Sequence, residues 1–172
     1  MKKPMHTTIL ITTAMTTALI GGLFYAYSCS VNPGLGRLPD AQYIAAMQAI
    51  NEAIINPLFM MSFMGTLLLL PLSTYCHYSA TPTARFYLLL LATVTYAVGV
   101  FGVTMFGNVP LNDALARINL NASADELKAQ RTLFEGPWNS LHRIRSLASA
   151  LTILFVVMAC IFDNGSIQRP GA

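Results

Sequence analysis

Five residues with the means to do chemistry fall in one helix-spaced row. Trp138, His142, Arg145, Ser149 and Thr152 are separated by four, three, four and three residues, so a helix carries all five on one face. An imidazole three residues from a guanidinium sets a titratable proton carrier beside a fixed positive charge. Such a pair can take a proton from a weak acid and hold the oxyanion left behind. Trp138, one turn away, offers a flat apolar wall for an aromatic ligand. Arg145 lies at the edge of a stretch, Ser146 to Phe162, that has no charged residue. A charged Arg at the centre of a membrane helix costs about 2.5–3.5 kcal/mol, so Arg145 is expected to face protein or a wet cavity. Arg143, on another face, is expected to snorkel towards headgroups.

Two further polar sets stand near apolar runs. Gln48, Asn51, Glu52 and Asn56 recur at helical spacing and project from one side of their helix. For Gln48 and Glu52 an interfacial turn with its polar groups in water is an equal reading, and Asn56, just before Pro57, suits a bond to backbone freed by the proline. The third set is Asn108-Val109-Pro110-Leu111-Asn112, which reads as a short turn ending an apolar segment.

The elements that must position these residues are membrane spans. The chain has 172 residues, a mean hydropathy of +0.56 and only 10% charged residues, too apolar for a water-soluble fold of this length. Four stretches are long enough to cross hydrocarbon as helices, at about 5–28, 54–75, 86–106 and 138–162. The predicted fold is therefore all-α: one integral membrane domain over residues 1–172, a four-transmembrane-helix bundle with an extended helix 2 and a partly helical loop between spans 3 and 4. Helix 2 is expected to start at Pro39-Asp40 and to kink at Pro57 and Pro71. In the loop, Ser123 with Glu126 forms a capping box, which predicts a short helix from Ala124 to about Phe134 that ends before Gly136-Pro137. Lys2 and Lys3 before the first apolar run also fit a secretory signal, but the run is long and contains Gly21-Gly22, so retention as span one is preferred.

Charge and motif content narrow the function classes. A net charge of +3 spread along the chain gives no basic face for nucleic acid; the bilayer is the expected partner. Lys2 and Lys3 against Arg37 favour cytoplasmic N- and C-termini, with Arg85 and Arg169 on the inside and Arg117, Lys128 and Arg131 outside, in what is expected to be a bacterial cytoplasmic membrane. Cys29, Cys76 and Cys160 have no metal or redox spacing and read as small apolar residues. His142 has neither a second His nor a carboxylate at ligand spacing, so no metal and no cofactor is expected.

Taken together, Met47-Gln48-Ala49-Ile50-Asn51, Asn108-Val109-Pro110-Leu111-Asn112, Trp138-Asn139 with His142 and Arg145, and Gly21-Gly22-Leu23-Phe24-Tyr25 resemble the successive signatures of the DUF1772, or anthrone oxygenase-like, membrane family. The resemblance covers nearly the whole chain. It implies a site built from His142 and Arg145 as catalytic residues, with Gln48, Asn51, Asn108, Asn112, Trp138 and Asn139 binding substrate. It also implies oxidation of an anthrone to an anthraquinone without metal or flavin, as some members of that family do.

The chemistry suits those residue types. The ring CH of an anthrone is acidic, so a base such as His142 can leave an enolate electron-rich enough to reduce dioxygen directly. Two other readings stand beside this one. The polar cluster also suits a non-catalytic membrane protein that binds a small lipophilic ligand or a partner helix. A haem or quinone electron carrier would draw on His6 and His77, which share one membrane side if spans one and two are antiparallel. The oligomeric state is not readable from the sequence.

Overall fold

The computed structural model describes residues 2–162; Met1 and residues 163–172, including Arg169, lie outside the described residues. The described residues form helices and connections, without strands, and four of the five helices are long and apolar enough to cross a membrane. The first, α1, is Lys2–Ala26 and runs on through a π-helical turn, Tyr27–Val31, into Asn32–Leu35. Then come α2 (Asp40–Ala53), α3 (Pro57–Cys76), α4 (Ala84–Ala116) and α5 (Ala124–Ile161). The spanning helices close a ring in which α1 packs on α3 and α5, and α4 on the same two. At one end Leu10, Leu89 and Ala159 cluster, so the N-terminal end of α1 and the C-terminal end of α5 lie together, as an even number of crossings requires. At the other end α2 lies against α5 and the last turns of α4.

Apolar side chains divide as a bilayer demands. Leu58, Leu68, Val98, Phe106 and Leu147 point outward and exposed, while Ile20, Phe24, Phe63, Leu70, Tyr96, Val100 and Val156 fill the ring. Dispersion alone holds helices together weakly in lipid, so close approach and buried hydroxyls matter. Gly99 meets Ala148 so closely that an added Cβ would lie 2.6 Å from the alanine methyl. Thr13 bonds Ser73 at 2.7 Å, Thr74 bonds Thr93 at 2.9 Å, and the Tyr96 hydroxyl donates to the Phe63 carbonyl at 2.8 Å.

Three local expectations change. Helix 2 is divided rather than kinked at Pro57: the proline disfavours helical backbone at Asn56, which is extended (φ −130°, ψ 161°). Asn56 caps α3 instead, its Oδ1 accepting from Phe59 N at 3.0 Å while its amide donates to the Ala53 carbonyl at 2.8 Å. The expected turn at Asn108–Asn112 is helix. Two π-helical stretches, Tyr96–Gly102 and Thr104–Asn108, widen α4 just before Pro110, where the ring would otherwise meet the preceding turn. Finally, the helix capped by Ser123, whose Oγ accepts from Glu126 N at 3.3 Å, continues through Gly136-Pro137 into span four as one helix of 38 residues. Leu127, Phe134 and Trp138 are buried in a single cluster on both sides of Pro137, and that packing outweighs the lost hydrogen bond.

Candidate functional site

The row read from α5 faces inward along its length. Trp138, His142, Arg145, Ser149 and Thr152 are all buried, His142 with 1% and Arg145 with 8% of its surface exposed. The Trp138 indole stacks on the His142 ring with centroids 5.2 Å apart and planes 11° from parallel. Arg145 Nε donates to His142 Nδ1 at 3.2 Å, and its guanidinium lies over the Phe24 ring at 4.6 Å and the Trp138 ring at 4.9 Å. Among the described residues no carboxylate pairs with Arg145. A buried cation balanced only by aromatic faces and one imidazole is costly unless something else meets it.

The supports of this centre come from two other helices, α4 and α1. Asn112 Oδ1 accepts from the Trp138 indole N–H at 2.8 Å, which fixes the plane of the stack. Asn108, wholly buried, donates its amide to the Trp138 carbonyl at 3.3 Å, and its Oδ1 has no partner. Asn51, on α2, likewise holds a buried amide nitrogen without a partner. From α1, Phe24 meets the His142 ring edge-on at 5.8 Å and Tyr27 lies 5.9 Å from it. Ser28 Oγ is 3.0 Å from His142 Nε2, and Ser146 Oγ is 3.2 Å from the same nitrogen.

A groove of about 560 Å³ opens beside this centre between the end of α1 and the middle of α5. Ser28, Asn32, Asn139, Ser140, His142 and Arg143 supply its polar lining. Volume and lining suit a small aromatic with oxygen substituents.

Of the residues read from the sequence, Asn108, Asn112, Trp138, His142 and Arg145 thus form one connected network, and Asn139 lines the groove with His142. Gln48 stands apart: its amide donates to the Leu115 and Ile118 carbonyls at 2.9 and 3.1 Å, closing the end of α4 onto α2. Glu52 is exposed. Phe24, although part of the signature at residues 21–25, was not read as a site residue, and neither were Tyr27, Ser28 and Ser146. Their signal was present in the spacing of Phe24, Tyr27 and Ser28 at three and four residues, and of Ser146 one turn beyond His142. His6 and His77 do share the opposite end, ring centroids 5.8 Å apart. No group of three or more potential metal ligands occurs among the described residues.

A family model described as anthrone oxygenase matches residues 58–155, more than half of the chain. The matched stretch holds Asn108, Asn112, Trp138, Asn139, His142 and Arg145, whereas Ser28, Gln48 and Asn51 precede it. No curated protein and no solved structure gives a match.

Proposed function

Because the chain belongs to the anthrone oxygenase family, we propose that it is a membrane-embedded oxygenase that converts an anthrone-like lipophilic aromatic to the corresponding quinone with dioxygen, without a cofactor. The observation that carries this reading is the buried Arg145, without a carboxylate partner among the described residues, held on His142 beside a groove between α1 and α5. Such a centre stabilises negative charge on an oxygen.

The reaction needs that stabilisation at one step above all. Loss of a proton from the ring CH2 leaves an enolate, whose charge sits on the ring oxygen. The enolate passes one electron to dioxygen, and the two radicals combine to a C–O–O⁻ peroxide. Protonation of the outer oxygen, loss of the second ring hydrogen as a proton and departure of hydroxide leave a carbonyl. In total one anthrone and one O2 give one quinone and one water, and the substrate supplies all the electrons. Dioxygen and fused aromatics both concentrate in lipid, which suits a site within a membrane bundle.

The test is oxygen uptake by the protein in nanodiscs with 1,8-dihydroxyanthrone under ¹⁸O2. The expected result is one O2 consumed and one ¹⁸O in the quinone per turnover, above the rate of protein-free nanodiscs. If no turnover occurs while 1,8-dihydroxyanthraquinone still binds and raises the melting temperature, the chain is a lipophile-binding protein instead.

A further inference from the structure

The directions of the hydrogen bonds around His142 fix where its proton sits. Arginine has donors and no acceptor, so the 3.2 Å bond from Arg145 Nε requires a lone pair on His142 Nδ1. On the other side, the Ser28 hydroxyl donates to the Phe24 carbonyl at 2.9 Å, which leaves the Ser28 oxygen to accept from Nε2, 3.0 Å away. Both ends of the network demand the same tautomer: a neutral ring with its hydrogen on Nε2. Nε2 meets Ser28, and Ser28 and His142 both line the groove. The ring cannot turn away, because Trp138 stacks on its face and Phe24 closes on its edge.

We propose that His142 serves the reaction as a hydrogen-bond donor through Nε2–H to the substrate's oxygen, and is not the base that removes the ring proton. Ser28 Oγ is the resting acceptor, whose place the substrate oxygen takes. Arg145 is a positioning residue: it holds the tautomer from the Nδ1 side, and its charge, one hydrogen bond behind the donor, polarises the ring towards an oxyanion. The group recognised is therefore an oxygen that carries or gains negative charge, the keto or phenolic oxygen of a fused aromatic. The proton leaves to water or hydroxide in the open groove. This rests on the oxygenase reading for its substrate, but the tautomer and the donor role are measurable without turnover.

Long-range ¹H–¹⁵N correlation on histidine-labelled protein in nanodiscs, assigned by the signal that His142→Gln removes, reads the tautomer. The expected result is a lone-pair Nδ1 and a protonated Nε2. A protonated Nδ1, alone or in an imidazolium, would falsify the proposal. In Arg145→Met the tautomers should mix; an unchanged spectrum removes the positioning role from Arg145. Glutamine keeps a donor but no base, so His142→Gln should bind 1,8-dihydroxyanthraquinone only a few-fold more weakly than the parent and lose no more than about tenfold in turnover. His142→Phe should bind at least about tenfold more weakly and lose about 100-fold in turnover. Turnover in His142→Gln as low as in His142→Phe would return the base role to histidine, and undiminished binding by His142→Phe would sink the donor role even if the parent turns nothing over.

Discussion

Two arginines on α5, Arg131 and Arg145, lie four turns apart and do opposite things. Arg131 is saturated. It bonds Glu135 at 2.7 Å and Asp40 at 2.9 Å, donates to the Leu38 and Gly36 carbonyls, and covers the Tyr43 ring at 4.4 Å. Every one of those partners belongs to the connection into α2, to α2 or to the next turn of α5, so the residue clasps the α1–α2 linker to the bundle. Arg145 is deeper and, among the described residues, has no carboxylate partner and meets aromatic faces and His142. A structural charge is neutralised by its own fold, whereas a buried charge left unneutralised beside a groove can act on a ligand through the ring it holds.

The largest expected effect separates the two on activity. Arg145→Met should lower turnover of an anthrone by about 10-fold to 100-fold, while its thermal stability stays level or rises, because a buried charge without a carboxylate partner among the described residues is replaced by a well-packed apolar chain. Oxygen consumption and a melting curve on the same preparation check both halves. Arg131→Met should do the reverse, costing about 2 kcal/mol by leaving two partly exposed carboxylates and two carbonyls without their donor, with turnover per folded molecule retained. If Arg131→Met lost activity in step with Arg145→Met, the clasp and the site would be one unit.

A smaller effect tests the link between the regions. Asn112→Leu leaves the Trp138 indole N–H without its acceptor, at a cost of about 1 kcal/mol, and should loosen the stack on His142 enough for a few-fold loss of turnover. Trp138 is the only tryptophan, so a shift in its fluorescence reports the change directly. The smallest effect belongs to Tyr43 in the clasp. Burial, and then the Glu135 carboxylate, push its phenol up, with Arg131 opposing. Below about pH 10, the ordinary phenol range, folded and unfolded chains both hold the proton. Above it the unfolded chain ionises first, so stability falls as pH rises. Tyr43→Phe should flatten that alkaline fall in a stability–pH series and change little at neutral pH.

Much of this organisation is visible in local pattern. Ser123 and Asn56 cap helices because each precedes a helix start at the spacing where its oxygen meets a free N–H. The alignment of Trp138, His142 and Arg145 follows from helical period alone. The continuity of α4 through Pro110 and of α5 through Pro137 does not, because a proline breaks or bends according to what packs around it. Ser28 is unmarked by local pattern for a related reason: it is an exposed serine at the end of the first apolar run, and its meaning lies in a partner 114 residues away.

The sequence by itself determined that the chain spans a membrane four times, that α5 presents an imidazole, a guanidinium and an indole on one face, and which family it joins. Those properties depend on composition and on the 3.6-residue period, which are local. Only the tertiary structure decided that Arg145 meets no carboxylate among the described residues, that its Nε holds His142 Nδ1, and that α1 brings Ser28 to the other nitrogen. The proton's place on His142 depends on which donors and acceptors surround the ring, and two of the groups that decide it, the Ser28 hydroxyl and the Phe24 carbonyl, come from a different helix.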